Sequence, residues 1–570
     1  MAIPSISKSR IDQLLADIRA KKEANKIEVS SVWPPIQAES TEKESGVVIH
    51  GIGKHGEAIT YNREQQLFIK TTLAGHDCIL IGAAGTGKTT CVMGSINSLV
   101  NSGTIPMLDS GEHKHLPYAK VPGIIATSFT RRAVRNLKKA MPPGLEGNCI
   151  TIHKLLEFAP VKYEVIDPET GDSKWTQRFE PRRHADNPLP DTIRVIYIDE
   201  ASMVSTDLYS LLIAACPHKP QIIFVGDIQQ LPPVFGAAIL GYKMLELTTV
   251  ELTEVYRQAL ESPIIKYATL IKEGHTIDLS AGKLIEETSK GKITFHPWVK
   301  KLSSDLACMT FCKFITVALE AGAYDQDNDC ILIPFNKAFG TEEVNRSIAN
   351  FIAKRDRRLV WEIQAGFNKL YFSAGDKVLF DKEDATIVNI QRNPEYLGKK
   401  PLHESVTLDY WGHDPVPRDK DLEEAEDSLQ DIDAMLDKVA AFVDSDEDRV
   451  TTASHIVTLS MNDSEVELEI SSAATINQML LSYAITVHKA QGSEWDKVFF
   501  ILHQSHNTMI QRELLYTGVT RAAKELYVIC ESDSFVRGVQ SQRIKGNTLA
   551  EKAEFFKGKV DSNSSGYISQ

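Results

Sequence analysis

The chain has 570 residues, which predicts three to five domains at roughly 100–200 residues per domain. Its composition, 42% hydrophobic and 24% charged, is ordinary for a soluble globular protein. No apolar run approaches the ~20 residues that span a bilayer, and the N-terminal stretch lacks the apolar core of a signal peptide, so we expect an intracellular, cytoplasmic protein. The formal net charge of -13 argues against a protein coated in positive charge.

Short apolar runs, each followed by a plausible helix, recur along the chain. Alternating strands and helices indicate an α/β fold with parallel sheets and helices on both faces. The first four runs fit one such domain and the last two fit a second: Cys78–Gly82, Gly123–Ser128, Val195–Asp199, Gln221–Asp227, Cys330–Phe335 and Lys497–Leu502.

A complete G-x-x-x-x-G-K-[ST] pattern joins the first strand to its helix. Its glycines let the backbone wrap closely around phosphates, Lys88 would reach the β and γ phosphates, and Thr89 would give a hydroxyl to Mg²⁺. The pattern in this strand-to-helix setting predicts an ATP site formed by Gly82, Gly85, Thr86, Gly87, Lys88, Thr89 and Thr90.

The segment 162–184 is predicted to be an inserted β-hairpin. Asp167–Gly171, with sequence DPETG, supplies the residues of its turn. Trp175 and Phe179 follow on the returning arm, four residues apart and therefore on the same face of a regular strand, where they could either stack on a terminal base pair or pack the hairpin onto the rest of the protein.

Three polar residues after two later strands complete the predicted catalytic group. Asp199 ends an apolar strand, where it would hold the Mg²⁺ shell, and Glu200 would polarise the attacking water. Gln230 follows the next strand, where its amide could contact both the γ-phosphate and that water. Together with the phosphate loop, these residues favour ATP hydrolysis.

Two arginines beyond the first predicted domain are candidates for the γ-phosphate. Arg257 and Arg521 could each place a planar, always-charged donor where charge develops during hydrolysis. An arginine supplied by a second domain would make the cleft close on ATP and open on product.

An insert over 349–476 contains a stretch that suggests a small β-barrel. Within it, residues 419–448 hold 13 Asp or Glu against two Lys, so the remaining chain is close to neutral and a nucleic-acid groove is allowed. Apolar residues at three- and four-residue steps predict an acidic helix there, which either packs on its own domain or forms a coiled coil with a partner.

The eight cysteines are scattered, without a C-x-x-C pair or a Cys/His cluster of metal spacing. We expect reduced thiols that lie mostly in the core.

These segments, in this order, resemble superfamily 1 helicases over roughly 61–536. The stretch YNREQQ is similar to the adenine-reading motif, with Gln65 as its glutamine, and ATSFTRRAVRNL and TIHKLL are similar to the two single-strand-contact motifs. The stretches GDIQQLPPV, ITVHKAQGSEWDKV and YTGVTRA resemble the Dda and RecD branch, whereas SFTRRAV is closer to the UvrD-like form.

The resemblance implies a domain plan. It comprises an N-terminal extension (1–60), a first RecA-like motor domain (61–245) and a second one (246–348 with 477–537). An inserted domain with an SH3-like barrel (349–476) and a C-terminal tail (538–570) complete the plan. The two ends of the chain, from Met1 to about Val48 and from Lys559 to Gln570, are expected to be loosely ordered. The hairpin would then be a strand-separating pin.

The resemblance also implies 5′-to-3′ movement on single-stranded DNA. A translocase grips phosphates without reading sequence and stacks bases on aromatic faces. The predicted DNA contacts are Phe129, Thr130, Thr151, His153, Trp175, Phe179, Thr486 and His488, and the predicted nucleotide contacts from the later motif are Gly492 and Glu494, the latter at the ribose.

The expected ligands are therefore ATP, Mg²⁺, single-stranded DNA and forked duplex DNA, bound by a monomer. Replication or recombination proteins are possible partners. Three other interpretations stay open: a translocase that displaces proteins without unwinding, an RNA helicase, and a motor subunit of a recombination or nuclease assembly. Unwinding of forked substrates separates the first of these from a helicase.

Overall fold

The computed structural model describes residues 32–33, 50–52 and 58–565, apart from 119, 167–172, 235, 256–260, 299–300, 338, 367, 381–382, 397–451 and 462–466. The chain divides into two compact units. The first comprises Met1–Pro297, Ala490–Asp496 and Ile510–Gln570, and the second comprises Trp298–Lys489 and Lys497–Met509. Both units contain parallel strands and α-helices, which confirms the predicted α/β class.

The first unit is built from strands and helices that alternate over most of its length. Its strands are β1 Val32–Trp33, β2 His50–Ile52, β3 Ala58–Thr60, β4 Cys78–Gly82, β5 Ile124–Ser128, β6 Cys149–Thr151, β7 Ala159–Ile166, β8 Ser173–Glu180, β9 Val195–Asp199, β10 Gln221–Gly226, β11 Thr248–Leu252, β12 Leu284–Thr288, β13 Gly291–Pro297 and β24 Ala522–Cys530. Its helices are α1 Arg63–Leu73, α2 Lys88–Ser102, α3 Arg131–Ala140, α4 Ile152–Leu155, α5 Thr206–Ala214, α6 Ile239–Lys243, α7 Pro263–Lys272, α11 Arg512–Val519, α12 Ser532–Gln540 and α13 Leu549–Ser565.

The main sheet of the first unit has the strand order β1-β11-β4-β10-β9-β5-β6. All neighbours are parallel except β1, which pairs antiparallel with β11. The first four predicted strands thus share one sheet. The short β1 lies within the N-terminal stretch that was expected to be loosely ordered, and that expectation is wrong for Val32–Trp33.

Helices cover both faces of this sheet, which explains why its strands read as continuous apolar runs. In β4, Ile79 and Ile81 join one core cluster, whereas Cys78 and Leu80 join the cluster on the other face. Because successive side chains of a strand point to opposite faces, each strand contributes to two cores.

The C-terminal segment forms the helix α13, Leu549–Ser565, so the expectation of loose order is wrong for residues 559–565. The helix α13 contributes Leu549, Ala553 and Phe556 to the core cluster of the first unit, where the Phe556 ring contacts Tyr242 edge-to-face. These apolar residues recur at steps of four and three, a helical signal that was present in the sequence.

The second unit combines a small parallel sheet with an antiparallel one. Its strands are β14 Asp329–Ile333, β15 Val360–Ala365, β16 Asn368–Ser373, β17 Lys377–Phe380, β18 Glu383–Arg392, β19 Thr452–Met461, β20 Glu467–Ser472, β21 Leu480–Leu481, β22 Ala484–Thr486 and most of β23 Trp495–Leu502, and its helices are α8 Ser304–Glu320, α9 Thr341–Arg355 and α10 Ala473–Ile476.

In the parallel part, β14 lies between β22 and β23, so the last two predicted strands pair as neighbours. The antiparallel sheet has the order β16-β15-β19-β18-β17-β21, with β20 beside β19, and encloses its own apolar cluster. The helix α9 runs through Ala349, where the inserted domain was predicted to begin. The predicted acidic helix over 419–448 lies outside the described residues.

The strands β7 and β8 are antiparallel partners, from Ala159 opposite Glu180 to Ile166 opposite Ser173. The residues of the predicted turn, Asp167–Gly171, lie outside the described part of the chain.

Candidate nucleotide and nucleic-acid sites

The loop between β4 and α2 has the backbone shape that a phosphate site needs. Gly85 and Gly87 adopt φ of 78° and 81°, a conformation that L side chains rarely adopt. An added Cβ at Gly82 would lie 2.4 Å from Thr86 Oγ1, so the close wrapping of the loop also requires glycine there. The helix α2 begins at Lys88 with Gly87 as its N-cap, which directs the amides of its first turn toward the loop.

The side chains of this loop are held by its own backbone. Lys88 Nζ donates to the carbonyls of Gly82 and Ala83 at 2.7 and 3.2 Å, and the Thr86 hydroxyl donates to Ala83 O at 2.9 Å. Thr89 is exposed and Thr90 half-buried on the first turn of α2. A triphosphate could therefore reach the Thr89 hydroxyl, and it would draw Lys88 away from the carbonyls.

Asp199 and Glu200 stand at the carboxyl end of β9, in the same sheet as β4. Burial, followed by the neighbouring Glu200 carboxylate, raises the pKa of Asp199 to about 7, and the Lys88 ammonium acts in the opposite direction. Glu200 adopts φ 50°, a left-handed conformation that is strained for a residue with a side chain. Such strain is typical of a functional turn.

The donor set fits Mg²⁺, which prefers hydroxyl and carboxylate oxygens. The Thr89 hydroxyl and the Asp199 carboxylate supply such oxygens, and a cation would offset the crowding of the Asp199 and Glu200 carboxylates. Among the described residues, no cluster of three or more His, Cys, Asp or Glu suits a metal held by protein ligands alone.

The loop after β10 is tied to the loop after β4 by a tyrosine of α11. The Tyr516 hydroxyl donates to Asp227 Oδ2 at 2.8 Å and accepts from the Ala84 N–H at 3.0 Å. Gln230 is 4% exposed, and within the described residues its Oε1 accepts no hydrogen bond. The side chain predicted to contact the γ-phosphate is thus buried in the loop after β10 with an unused acceptor.

Arg521 follows α11 and is turned into the protein. Its guanidinium donates to Thr517 O, Ser493 O and Thr520 Oγ1 at 3.0 to 3.1 Å, and the residue is 7% exposed. A contact with nucleotide would require these bonds to break. Arg257 lies outside the described residues.

The residues predicted to read the base and sugar lie on different elements. Gln65 is fully buried and forms a capping box with Asn62 at the start of α1, at 2.8 and 3.1 Å. Glu494 is exposed, as a ribose contact requires. Gly492 packs against the start of α3, where an added Cβ would lie 2.9 Å from Thr130 Oγ1.

Predicted DNA contacts of the first unit meet at the carboxyl ends of β5 and β6. The rings of Phe129 and His153 are 5.5 Å apart, and Phe158 lies 5.0 Å from His153. Thr130 and Thr151 cap the N-termini of α3 and α4 by accepting from backbone N–H groups. Half-buried aromatic faces beside helix N-termini provide both the stacking surface and the phosphate donors of a single-strand site.

A buried ion pair anchors the end of β8, a feature that sequence reasoning missed. Glu157 adopts φ 51°, and its carboxylate accepts from Arg183 Nη2 at 3.1 Å and from the Lys114 N–H at 3.3 Å. Burial alone would raise the pKa of Glu157, but the bond from Arg183 and the nearby His113 hold it below its ordinary value. The two β-strands therefore emerge from a fixed base.

Of the two predicted aromatic residues on β8, Phe179 is 62% exposed. Trp175 pairs with Glu164 across the strands, and its side chain lies outside the described part.

In the second unit, a cleft of about 680 Å³ opens beside the carboxyl ends of β14 and β22. Arg346 of α9, Lys369 of β16 and Lys489 line it together with apolar residues, and Glu342 and Asp376 add negative charge. Burial lowers the pKa of Lys489. The predicted DNA contacts adjoin this cleft: Thr486 is buried at the end of β22, and His488 is half-buried.

The eight cysteines are buried and form no disulfide, as predicted. No helix among the described residues is long and apolar enough to cross a membrane.

Two family models match the chain. Residues 65–236 match an AAA domain, and residues 481–529 match the UvrD-like helicase C-terminal domain. The first match contains the phosphate loop, Asp199, Glu200 and Gln230, and the second contains Thr486, His488 and Arg521.

Curated relatives cover most of the chain. The ATP-dependent RecD2 DNA helicase of Deinococcus radiodurans is 24% identical over 493 residues, which are 85% of this chain and 51% of that protein. The ATP-dependent DNA helicase dda of Enterobacteria phage T4 is 25% identical over 484 residues, 80% of this chain and 94% of that protein. The chain thus spans about half the length of the first relative and nearly all of the second.

Among solved structures, a Pif1 helicase from Bacteroides in complex with ADP-AlF3 and single-stranded DNA is 17% identical, with a TM-score of 0.42. The alignment covers 88% of this chain and 98% of the Pif1 chain.

Proposed function

We propose that the chain is a superfamily 1 helicase of the branch that resembles Dda and RecD, and that it is an ATP-driven motor that moves along single-stranded DNA and unwinds duplex DNA. The observation that carries this proposal is the gathering of Lys88, Asp199, Glu200 and Gln230 at the carboxyl ends of adjacent strands β4, β9 and β10. Parallel α/β sheets bind ligands at that edge.

Each residue of this edge has a role in the proposed hydrolysis. The loop amides and Lys88 hold the phosphates, Glu200 polarises the attacking water, and Gln230 orients it. Mg²⁺, held by Thr89 and Asp199, would neutralise charge on the phosphates. Arg257 and Arg521 would stabilise the charge that develops on the transferring phosphoryl group.

DNA binding is proposed at two places, one in each unit. In the first unit, Phe129 and His153 offer ring faces, and Thr130 and Thr151 stand at helix N-termini. In the second unit, the cleft beside Thr486 has room for a strand, and three of its lining side chains, Arg346, Lys369 and Lys489, could bind phosphates. Neither place needs a strongly basic surface, which agrees with the acidic net charge.

The finer proposals are the direction of movement, the pin and the barrel. We infer 5′-to-3′ movement, a pin formed by β7 and β8, and an SH3-like barrel formed by the antiparallel sheet of the second unit. The exposed Phe179 and the fixed base at Glu157 support the pin, because a wedge must be both apolar and rigid.

The test is unwinding of duplexes with either a 5′ or a 3′ single-stranded tail. We expect ATP-dependent unwinding of the 5′-tailed duplex and ATPase activity that rises with single-stranded DNA. Unwinding of the 3′-tailed duplex alone would contradict the direction, and ATPase activity indifferent to any nucleic acid would contradict a helicase. Stronger stimulation by single-stranded RNA than by DNA would favour an RNA helicase.

A translocase without unwinding is the second candidate, because the apolar ring of Phe179 could pack a partner instead of opening DNA. Replacing Pro168–Lys174 with a short Gly-Ser turn separates the two. We expect single-strand translocation to persist and unwinding to fall sharply. Unchanged unwinding would show that the hairpin tip is not the wedge.

A further inference from the structure

The Tyr516 side chain stands between two loops that the proposed ATP site uses. It is 2% exposed, and its hydroxyl lies 3.0 Å from Ala84 N and 2.8 Å from Asp227 Oδ2. Burial, followed by the Asp227 carboxylate, raises the pKa of Tyr516 far above its ordinary value, so the hydroxyl keeps its proton. It therefore donates to Asp227 and accepts from Ala84.

The Ala84 N–H belongs to the G-x-x-x-x-G-K-[ST] loop, whose amides cradle phosphates. This N–H has one hydrogen and can give it fully to one acceptor. A phosphate oxygen carries negative charge, and it is a stronger acceptor than a neutral phenol. A phosphate that reaches Ala84 would therefore displace the Tyr516 hydroxyl.

The residue after Tyr516 bonds to Arg521 and to the neighbour of Gln230. The next residue, Thr517, accepts from Leu231 N at 3.0 Å through its hydroxyl, and Leu231 follows Gln230 directly. The Thr517 carbonyl accepts from Arg521 Nε at 3.0 Å. A shift of α11 would therefore be felt at both Gln230 and Arg521.

We propose that Tyr516 is a positioning residue whose hydroxyl competes with a phosphate oxygen of bound ATP for the Ala84 N–H, and so links occupancy of the phosphate loop to Gln230 and Arg521. The inference rests on the proposed ATP site. It gives Tyr516 a role that differs from packing, because loss of its hydroxyl should strengthen nucleotide binding.

The test variant is Tyr516→Phe, which removes one oxygen and leaves net charge and ring packing unchanged. In the nucleotide-free protein, the loss of the hydroxyl removes the hydrogen bond from Ala84. In the ATP-bound protein, a phosphate oxygen accepts from Ala84 instead, so that bond is kept. The substitution therefore destabilises the free protein more than the bound one. We expect the variant to bind the ATP analogue AMP-PNP about 2- to 10-fold more tightly, the worth of one hydrogen bond.

Tyr483→Phe is the matched control. The Tyr483 hydroxyl also donates to a buried aspartate, Asp376 at 3.0 Å, and accepts from a backbone N–H, Lys377 at 3.4 Å, but it belongs to the second unit, whereas the phosphate loop belongs to the first. We expect a similar loss of thermal stability in both variants and unchanged AMP-PNP affinity in Tyr483→Phe. Unchanged or weaker binding by Tyr516→Phe would overturn the inference.

Hydrogen exchange on the unaltered protein provides a second measurement should Tyr516→Phe fail to fold. Saturating AMP-PNP should increase amide exchange in Arg512–Val519, because Tyr516 has lost one of its two bonds, and should leave the segment around Tyr483 unchanged. No change in Arg512–Val519 would count against the inference. If the unaltered protein does not bind AMP-PNP at all, the proposed ATP site itself is wrong.

Discussion

The two units place different chemistry at the same kind of sheet edge. In the first unit, the ends of β4, β9 and β10 form a small site lined by backbone amides and carboxylates, with Gly82 packed so closely that no side chain fits. In the second unit, the ends of β14 and β22 open into a cleft of about 680 Å³ lined by Arg346, Lys369 and Lys489.

The difference reflects the ligand that each edge is proposed to hold. Phosphoryl transfer needs donors fixed to within a fraction of an ångström, which backbone groups provide. A strand that must slide needs charge without fixed geometry, which long basic side chains provide. Substitutions in the first unit should therefore abolish the reaction, whereas those in the second should weaken binding by degrees.

The largest effect is expected from Lys88→Ala. The change removes the ammonium that would reach the phosphates. Within the described part of the chain, Lys88 Nζ donates only to loop carbonyls, so its loss leaves the core intact. Steady-state ATPase should fall to background while the thermal melting temperature changes little. Retained ATPase would show that the first edge is not the ATP site.

The next effect is expected from the arginines. Arg521→Ala and Arg257→Ala should each lower turnover on the order of 10³-fold and lower nucleotide affinity far less, because the charge that they stabilise is greatest in the transition state. Arg521→Lys serves as the comparison, since it keeps charge but loses the planar fork. Full turnover in both alanine variants would mean that neither arginine completes the site.

Glu200→Gln should keep ATP binding and lower hydrolysis about 10²-fold or more, because the amide preserves shape but cannot polarise water. Single-turnover hydrolysis and AMP-PNP affinity, measured on one preparation, separate the two effects. A hydrolysis rate equal to that of the unaltered protein would assign the role of base to another residue.

The smallest effect is expected in the cleft of the second unit. Arg346→Gln and Lys489→Gln should each weaken single-stranded DNA binding a few-fold and reduce the salt dependence of binding by about one counterion. Lys354→Gln is the control, because Lys354 lies on the same helix, exposed and outside the cleft. Equal effects in all three variants would indicate general charge rather than the cleft.

The features that could be predicted are those encoded in a continuous stretch of chain. The phosphate loop depends on glycines and a lysine at fixed spacing, and the structure shows the expected strand, turn and helix there. The apolar runs of the main sheet were equally clear, because strands covered on both faces leave no polar alternation.

Features that join distant segments could not be predicted. The hydrogen bonds of the Tyr516 hydroxyl join residues that are 432 positions apart, for Ala84, and 289 positions apart, for Asp227. Neither motif spacing nor hydrophobic periodicity predicts contacts over such distances in sequence. The ion pair between Glu157 and Arg183 depends on how the chain returns after β8. For Tyr516 the one available signal was its place within YTGVTRA, directly after a pair of leucines and five residues before the predicted arginine.

The sequence by itself determined the α/β class, the phosphate loop and the acidic pair after β9, because each depends on local backbone geometry and residue type. Only the tertiary structure decided that Arg521 is bonded inward, that among the described residues Gln230 finds no donor for its Oε1, and that the helix Leu549–Ser565 packs into the core of the first unit. These outcomes depend on which buried polar groups form hydrogen bonds and which apolar surfaces pack against each other. Both involve segments that are distant in sequence and come together only when the whole unit folds.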